Sequence, residues 1–267
     1  MTALFGRLGW AAADTWTITR RDLIHWGSRP GQALVVLLFP VMILLMFGYL
    51  FGGAVALPGG GGYREFLMPG MFAMTMLFGI ETTFAAVAGD AAKGVTDRFR
   101  SMPMSGAAVV TGRGVADLLH SVLGLAVMIG AGLAVGWRWH EGPARALAAF
   151  GLLLLLRFAM LWLGIWLGLV VGRPEMLAFI QILVWPLMFV SNTLVPPETM
   201  PAWLAAAAEW NPLSATVAAI RELFGNPGWG GESLAAQYAV PLAAGWPLLM
   251  IAVFAPLAVR RYRRLGR

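Results

Sequence analysis

The sequence predicts an all-α polytopic membrane protein, and three observations carry that prediction. Of 267 residues, 59% are hydrophobic and 12% charged, whereas a soluble domain carries about 25% charged residues. Six apolar segments are long enough to cross a hydrocarbon layer of roughly 30 Å, which takes about 20 residues of helix. The 12 Trp and 33 Gly suit membrane interfaces and close helix approach.

The N-terminal region, 1–31, is expected to hold an interfacial helix, because Trp16, Thr19, Leu23 and Trp26 recur on one helical face. No apolar run with a small-residue cleavage site occurs there, so no signal peptide is read. The transmembrane domain, 32–259, contains spans near 32–53, 67–88, 114–136, 145–171, 176–196 and 236–259. Pro40 and Pro186 lie inside spans, where neighbouring helices absorb the kink. A basic tail, 260–267, follows.

Orientation follows from the Lys/Arg bias. With the N-terminus in the cytoplasm, the inner segments hold 14 Lys and Arg and the outer ones 4, with Arg157 intramembrane. Both termini are thus expected inside, in the plasma (inner) membrane. The net charge of +6 does not point to nucleic acid, since the positives flank spans instead of forming a patch. The tail arginines fit a stop-transfer anchor or contact with anionic lipid headgroups.

The inner segment 89–113 is longer than a connection needs. Thr96 and Asp97 suit a helix start, Phe99 and Met102 share a face, and Pro103 ends the helix. Charged Asp97, Arg98 and Arg100 surround that apolar knob, the pattern of a docking helix that enters a partner's groove. A helix topping off the bundle is the plainer alternative. The outer segment 197–232 predicts two short apolar helices dipping into the outer leaflet. Pro201 fits the first turn of one that presents Trp203; Asn211 and Pro212 open another, which reaches Phe224 and ends at Gly225.

No G-x-x-x-x-G-K-[ST] loop exists, and Lys93 is the only lysine. His25, His120 and His140 are scattered and assign no metal site. The chain is therefore expected to have no catalytic residue, no metal and no cofactor of its own. Glu81 and Arg157 are the central intramembrane charges, at similar depth. They are expected to form an ion pair locking two helices; contact with a polar substrate group or a gate stays open. Asp117 is expected to pair with an arginine near the cytoplasmic interface. Gly164, Gly168 and Gly172 form a small-residue ridge, either for internal packing or for a homodimer seam.

The chain resembles the membrane subunits of the ABC-2 exporter family, most of all its daunorubicin/doxorubicin-resistance branch. Two motifs carry the likeness over residues 15–260. The inner one is Gly94, Asp97-Arg98-Phe99-Arg100-Ser101, Pro103, Ser105, Gly112-Arg113 and Asp117; the outer one is Asn192, Pro196, Met200-Pro201, Trp203-Leu204 and Asn211-Pro212. Gly106 departs from the pattern, as relatives often carry Arg there. The resemblance implies a type V exporter plan with six spans, an interfacial helix, a cytoplasmic coupling helix and short re-entrant outer helices. It implies that Gly94, Asp97, Arg98, Phe99, Arg100, Ser101, Met102 and Pro103 form the coupling loop to a separate ATP-binding subunit. That subunit, in two copies, would bind ATP and Mg. A second permease copy or close homologue would complete the transporter, and a hydrophobic or amphiphilic drug, antibiotic or lipid would be the cargo. Polysaccharide or lipooligosaccharide export is the alternative within the family. An ion-driven secondary carrier is the alternative outside it, although no internal repeat supports that class.

Overall fold

A backbone in hydrocarbon must satisfy its N–H and C=O groups within its own segment, and the chain does so with helices. The computed structural model describes residues 2–28, 30–50, 62–95, 106–194, 197, 200–228 and 233–264, and every regular element among them is helical. In chain order these are α1 (Thr2–Gly27), α2 (Pro30–Leu50), α3 (Tyr63–Ala92), α4 (Gly106–Ala134) and α5 (Pro143–Val171). A 3₁₀ turn (Pro174–Met176) leads into α6 (Leu177–Phe189), followed by α7 (Ala202–Glu209), α8 (Pro212–Phe224), α9 (Leu234–Gln237) and α10 (Ala239–Arg264).

Among the described residues, five helices are long and apolar enough to cross a membrane: Ala33–Leu50, Tyr63–Ala92, Thr111–Ala134, Pro143–Val171 and Ala239–Arg264. The fifth predicted span, 176–196, departs from expectation. Its apolar helical stretch, Pro174–Phe189, is shorter than these five. The chain turns after Phe189 because its polar side chains capture the helix end. Ser191 Oγ donates to the Met188 carbonyl at 2.6 Å, and Asn211 Nδ2 donates to the Leu187 carbonyl at 2.6 Å and to that of Val190. Helix-end carbonyls need such partners.

α3 is the axis of the bundle. It contributes the unexposed side chains Phe66, Leu67, Met68, Phe72 and Phe84 to the main core, and its most extensive partner is α5. Gly164 and Gly168 permit that contact. A Cβ on Gly168 would stand 2.7 Å from Val87 Cβ, and one on Gly164 3.0 Å from the Ile80 carbonyl oxygen. Both glycines thus serve packing within the chain, while Gly172 caps α5 in the left-handed conformation at φ 63°. Gly168→Leu is expected to cost about 1–3 kcal/mol by overpacking, read as a lower unfolding midpoint in detergent. An unchanged midpoint would place the α3–α5 contact elsewhere.

On its other side α5 carries α10. Trp162, Ile165 and Leu169 pack with Ala258 and Tyr262, and Arg261 Nε donates to the Leu169 carbonyl at 3.3 Å. The second arginine of the basic tail therefore satisfies a carbonyl near the end of α5.

The N-terminal helix is bound more closely than an interfacial helix lying alone. Ile18 and Thr19 are buried against α4: Thr19 Oγ1 donates to the Gly112 carbonyl at 2.9 Å, and Trp26 stacks on His120 at 4.6 Å. Trp16, expected on the same face, is exposed. The contact face is centred on Ile18, Thr19 and Trp26, so Trp16 lies off it.

Candidate functional site

The intramembrane charges come first because burial makes them costly. Arg157 on α5 is 1% exposed. Its Nε donates to Ser121 Oγ at 2.6 Å and its Nη2 to Thr83 Oγ1 at 3.0 Å, while Asp117 Oδ2 lies 3.7 Å from Nη2. Thr83 donates to that same Asp117 oxygen at 2.6 Å. The guanidinium lies against the α3 backbone at Gly79, where a Cβ would come within 2.5 Å of Nε and Cζ. Three helices, α3, α4 and α5, are thereby tied by one polar network.

The expected Glu81–Arg157 pair does not form. Arg157 takes Asp117 as its carboxylate, and Glu81 Oε2 accepts from Gln181 Nε2 of α6 at 3.1 Å. The reason is helical geometry: residues two apart do not share a face, so with Thr83 turned to α5, Glu81 turns elsewhere. Asp117 does pair with an arginine, and that arginine is the central one.

A second charge cluster lies where α3 ends and α4 begins. Arg113 Nη1 donates to Asp90 Oδ2 at 2.6 Å, with Arg21 Nη1 of α1 3.7 Å from the same oxygen and 3.5 Å from Asp22. Burial raises the Asp22 carboxyl above its ordinary range, outweighing the opposing pull of Arg113 and Arg21. Gly94 then closes α3 in the left-handed conformation at φ 67°. Asp97, Arg98, Phe99, Arg100, Ser101, Met102 and Pro103, expected to form the coupling loop, lie outside the described residues.

Between these clusters runs a cavity of about 700 Å³. One end is lined by Glu81, Arg157 and Ser121, the other by Arg21, Asp90 and Lys93, and its apolar walls come from Leu37, Pro40, Met76, Phe78 and Ala85. Its size falls within the roughly 300–1,000 Å³ of sites that hold one drug-sized molecule.

The segment after α6 builds a different kind of site. Asn211 caps α8, accepting from the Leu213 N–H at 2.9 Å, while its amide serves the end of α6. Pro201 stands one residue before the first turn of α7, which leaves Trp203 74% exposed. Arg221, one of the four Lys and Arg that the sequence assigns to the outer segments, is 2% exposed, with its guanidinium 3.7 Å over the Phe66 ring. It donates to the carbonyls of Phe66, Asn192 and Thr193 at 3.3, 3.0 and 3.1 Å. Burial lowers its pKa. Trp137 packs edge-on against Phe72 and Phe224, and its Nε1 donates to Asn226 Oδ1 at 2.8 Å. One signal could have revealed Arg221: it shares a helical face with Val217 and Phe224, four and three residues away.

Asn211→Ala removes a cap and an amide donor together. It is expected to cost about 0.5–2 kcal/mol for the cap and about 1–3 kcal/mol more for the carbonyls left without a partner. Asn211→Asp restores the cap alone and should recover only part of the loss in unfolding midpoint. Equal midpoints for the two variants would contradict the double role.

A bundle of long apolar helices around α3, with its charges gathered into internal networks, defines a multi-pass helical membrane protein. The chain belongs to the ABC-2 type transporter family, whose model matches residues 13–224. It is 35% identical over 255 residues, 95% of this chain and 87% of the relative, to the daunorubicin resistance ABC transporter permease protein DrrB1 of Streptomyces coeruleorubidus. The ycf38 proteins of Pyropia yezoensis and Cyanophora paradoxa, named for transport permeases, are 28% and 26% identical over 79% and 81% of this chain. They are matched over 74% and 76% of their own lengths. This chain is an ABC-2 permease, homologous over nearly its whole length to a drug-resistance permease. Permeases of this family are transport subunits that normally pair with an ABC ATPase subunit.

Proposed function

We propose that this permease is the membrane half of an exporter that moves a hydrophobic or amphiphilic drug, antibiotic or lipid out of a bacterial cell across the plasma membrane. Two copies, or one copy and a close homologue, assemble with two ATPase subunits that bind ATP and Mg. α6 serves as a short sixth span, both termini face the cytoplasm, and α7 and α8 cap the outer exit as re-entrant helices. The loop from Gly94 to Pro103 is the coupling element, entering the ATPase by Phe99.

The observation that carries this reading is the cavity. Its mixed lining suits an amphiphile, and it extends to the end of α3 from which the coupling loop departs. The Asp90–Arg113 bridge joins the two helices flanking that loop, so a push on the loop reaches the cavity walls through a two-state rearrangement.

Inside-out vesicles bearing the permease and its ATPase subunit test the direction and the energy source. Uptake of a fluorescent amphiphile should require ATP and persist when ionophores collapse the ion gradients. Uptake that follows the gradient and ignores ATP would overturn the reading in favour of a secondary carrier.

A further inference from the structure

Among the described residues, one carboxyl group of the cavity has no cation beside it. Four carboxylates among these residues line the cavity: Asp22, Glu81, Asp90 and Asp117. Three have a guanidinium near: Arg21 lies 3.5 Å from Asp22, Arg113 2.6 Å from Asp90, and Arg157 3.7 Å from Asp117. Glu81 has only the amide of Gln181 on Oε2, and its Oε1 is buried with no hydrogen-bond partner.

A buried carboxylate oxygen without a partner is expensive wherever water is scarce. A close guanidinium could have offset that cost, as Arg113 does for Asp90 and Arg157 for Asp117. Arg157 is the nearest candidate in depth, but Ser121, Thr83 and Asp117 hold it on the far side of Gly79. The surroundings of Glu81 are apolar: Phe78 precedes it on α3, Ala85 lies one turn on, and Leu177 of α6 closes the wall. The position thus combines a carboxyl oxygen without a partner with a largely apolar cavity of drug size. A ligand that fits both halves has a cationic or strongly donating head and an apolar body.

We infer that Glu81 is the recognition point of this cavity, and that its carboxylate selects cargo carrying a positive charge, with the ammonium on that carboxylate and the apolar body along Met76 and Phe78. This rests on the exporter reading for the word cargo, but the charge preference itself does not need the ATPase. Gln181 is a positioning residue: its amide donates to Oε2 and so holds the carboxyl group against α6. Charge-assisted hydrogen bonds are about twice as strong as neutral ones, and the water-poor setting strengthens this one further.

The test is direct binding to the full chain in lipid nanodiscs, with empty nanodiscs subtracted. The probes are a dansylated alkylamine carrying one free ammonium and its N-acetylated, uncharged twin. The wild type should prefer the amine by about tenfold or more, the difference that 1.4 kcal/mol confers. Glu81→Gln should bind both twins alike. Ala85→Trp, which keeps the carboxylate and fills the cavity beside it, should weaken both probes and keeps the test decisive if Glu81→Gln fails to fold. Equal affinity of the wild type for the twins, no binding above empty nanodiscs, or a preference that survives Glu81→Gln would each overturn the inference. A lost preference with intact ATP-driven uptake removes this site and leaves the exporter. A preserved preference without ATP-driven uptake does the reverse.

Discussion

Replacing Arg157 with alanine is expected to destabilise the chain by about 3–5 kcal/mol, the cost of leaving a buried partner charge uncompensated. Asp117 and Thr83 are the groups left behind. Asp117 would keep the Thr83 hydroxyl at 2.6 Å but lose the guanidinium beside it. Ser121 Oγ would lose its 2.6 Å donor, and a void would open between α3 and α5 at Gly79. The double variant Arg157→Met with Asp117→Asn removes both charges while keeping side-chain volume, and it should cost less than Arg157→Ala alone. Unfolding midpoints in detergent for the single and double variants measure this. A single change costing under about 1 kcal/mol, in the range of an exposed pair, would show that the guanidinium is not committed to Asp117.

Phe99→Asp is expected to abolish ATP-driven transport while leaving the permease folded in the membrane. Docking by an apolar knob fails when the knob becomes a charge that must be desolvated in the partner's groove. Phe99→Leu keeps an apolar knob of smaller area and should retain a measurable fraction of activity. The flanking structure explains why the loss should be specific. α3 and α4 are bridged by Asp90 and Arg113, and α1 joins them through Arg21, so the loop is attached to a frame that stands without its partner. The unfolding midpoint should be unchanged and transport lost. Loss of both together would make Phe99 part of the core.

Much of the helical frame was legible because hydropathy reports length directly. Five of the six predicted segments coincide with helices long enough to span. The remaining one, 176–196, was overextended because Ser191, Asn192 and Thr193 lie in an apolar context that masks a turn, and the turn is made by Asn211, about 20 residues away in sequence. The ends of α8 were legible from local chemistry alone, as Asn211-Pro212 opens it and Gly225 closes it at φ 68°.

Side-chain partnerships were less legible, since hydropathy gives depth but not the face a residue occupies. Glu81 and Arg157 matched in depth, yet Thr83, two residues from Glu81, faces the arginine. Trp137 drew no individual reading, yet it is buried and bonds Asn226 across 89 residues of sequence. Arg221 was counted only as one of the outer-side charges, yet three backbone carbonyls and the Phe66 ring enclose it. Such contacts depend on the tertiary arrangement of separate helices, and no local pattern announces them.

The central claim is that ATP hydrolysed by a partner acts through the loop around Phe99. A tagged pull-down from native membranes in mild detergent, with ATPase activity assayed in the eluate, tests it most directly. The account predicts an ATP-binding subunit recovered in near-equal amount with the wild type and lost with Phe99→Asp. A permease recovered alone, under conditions that preserve a known ABC complex, would contradict it.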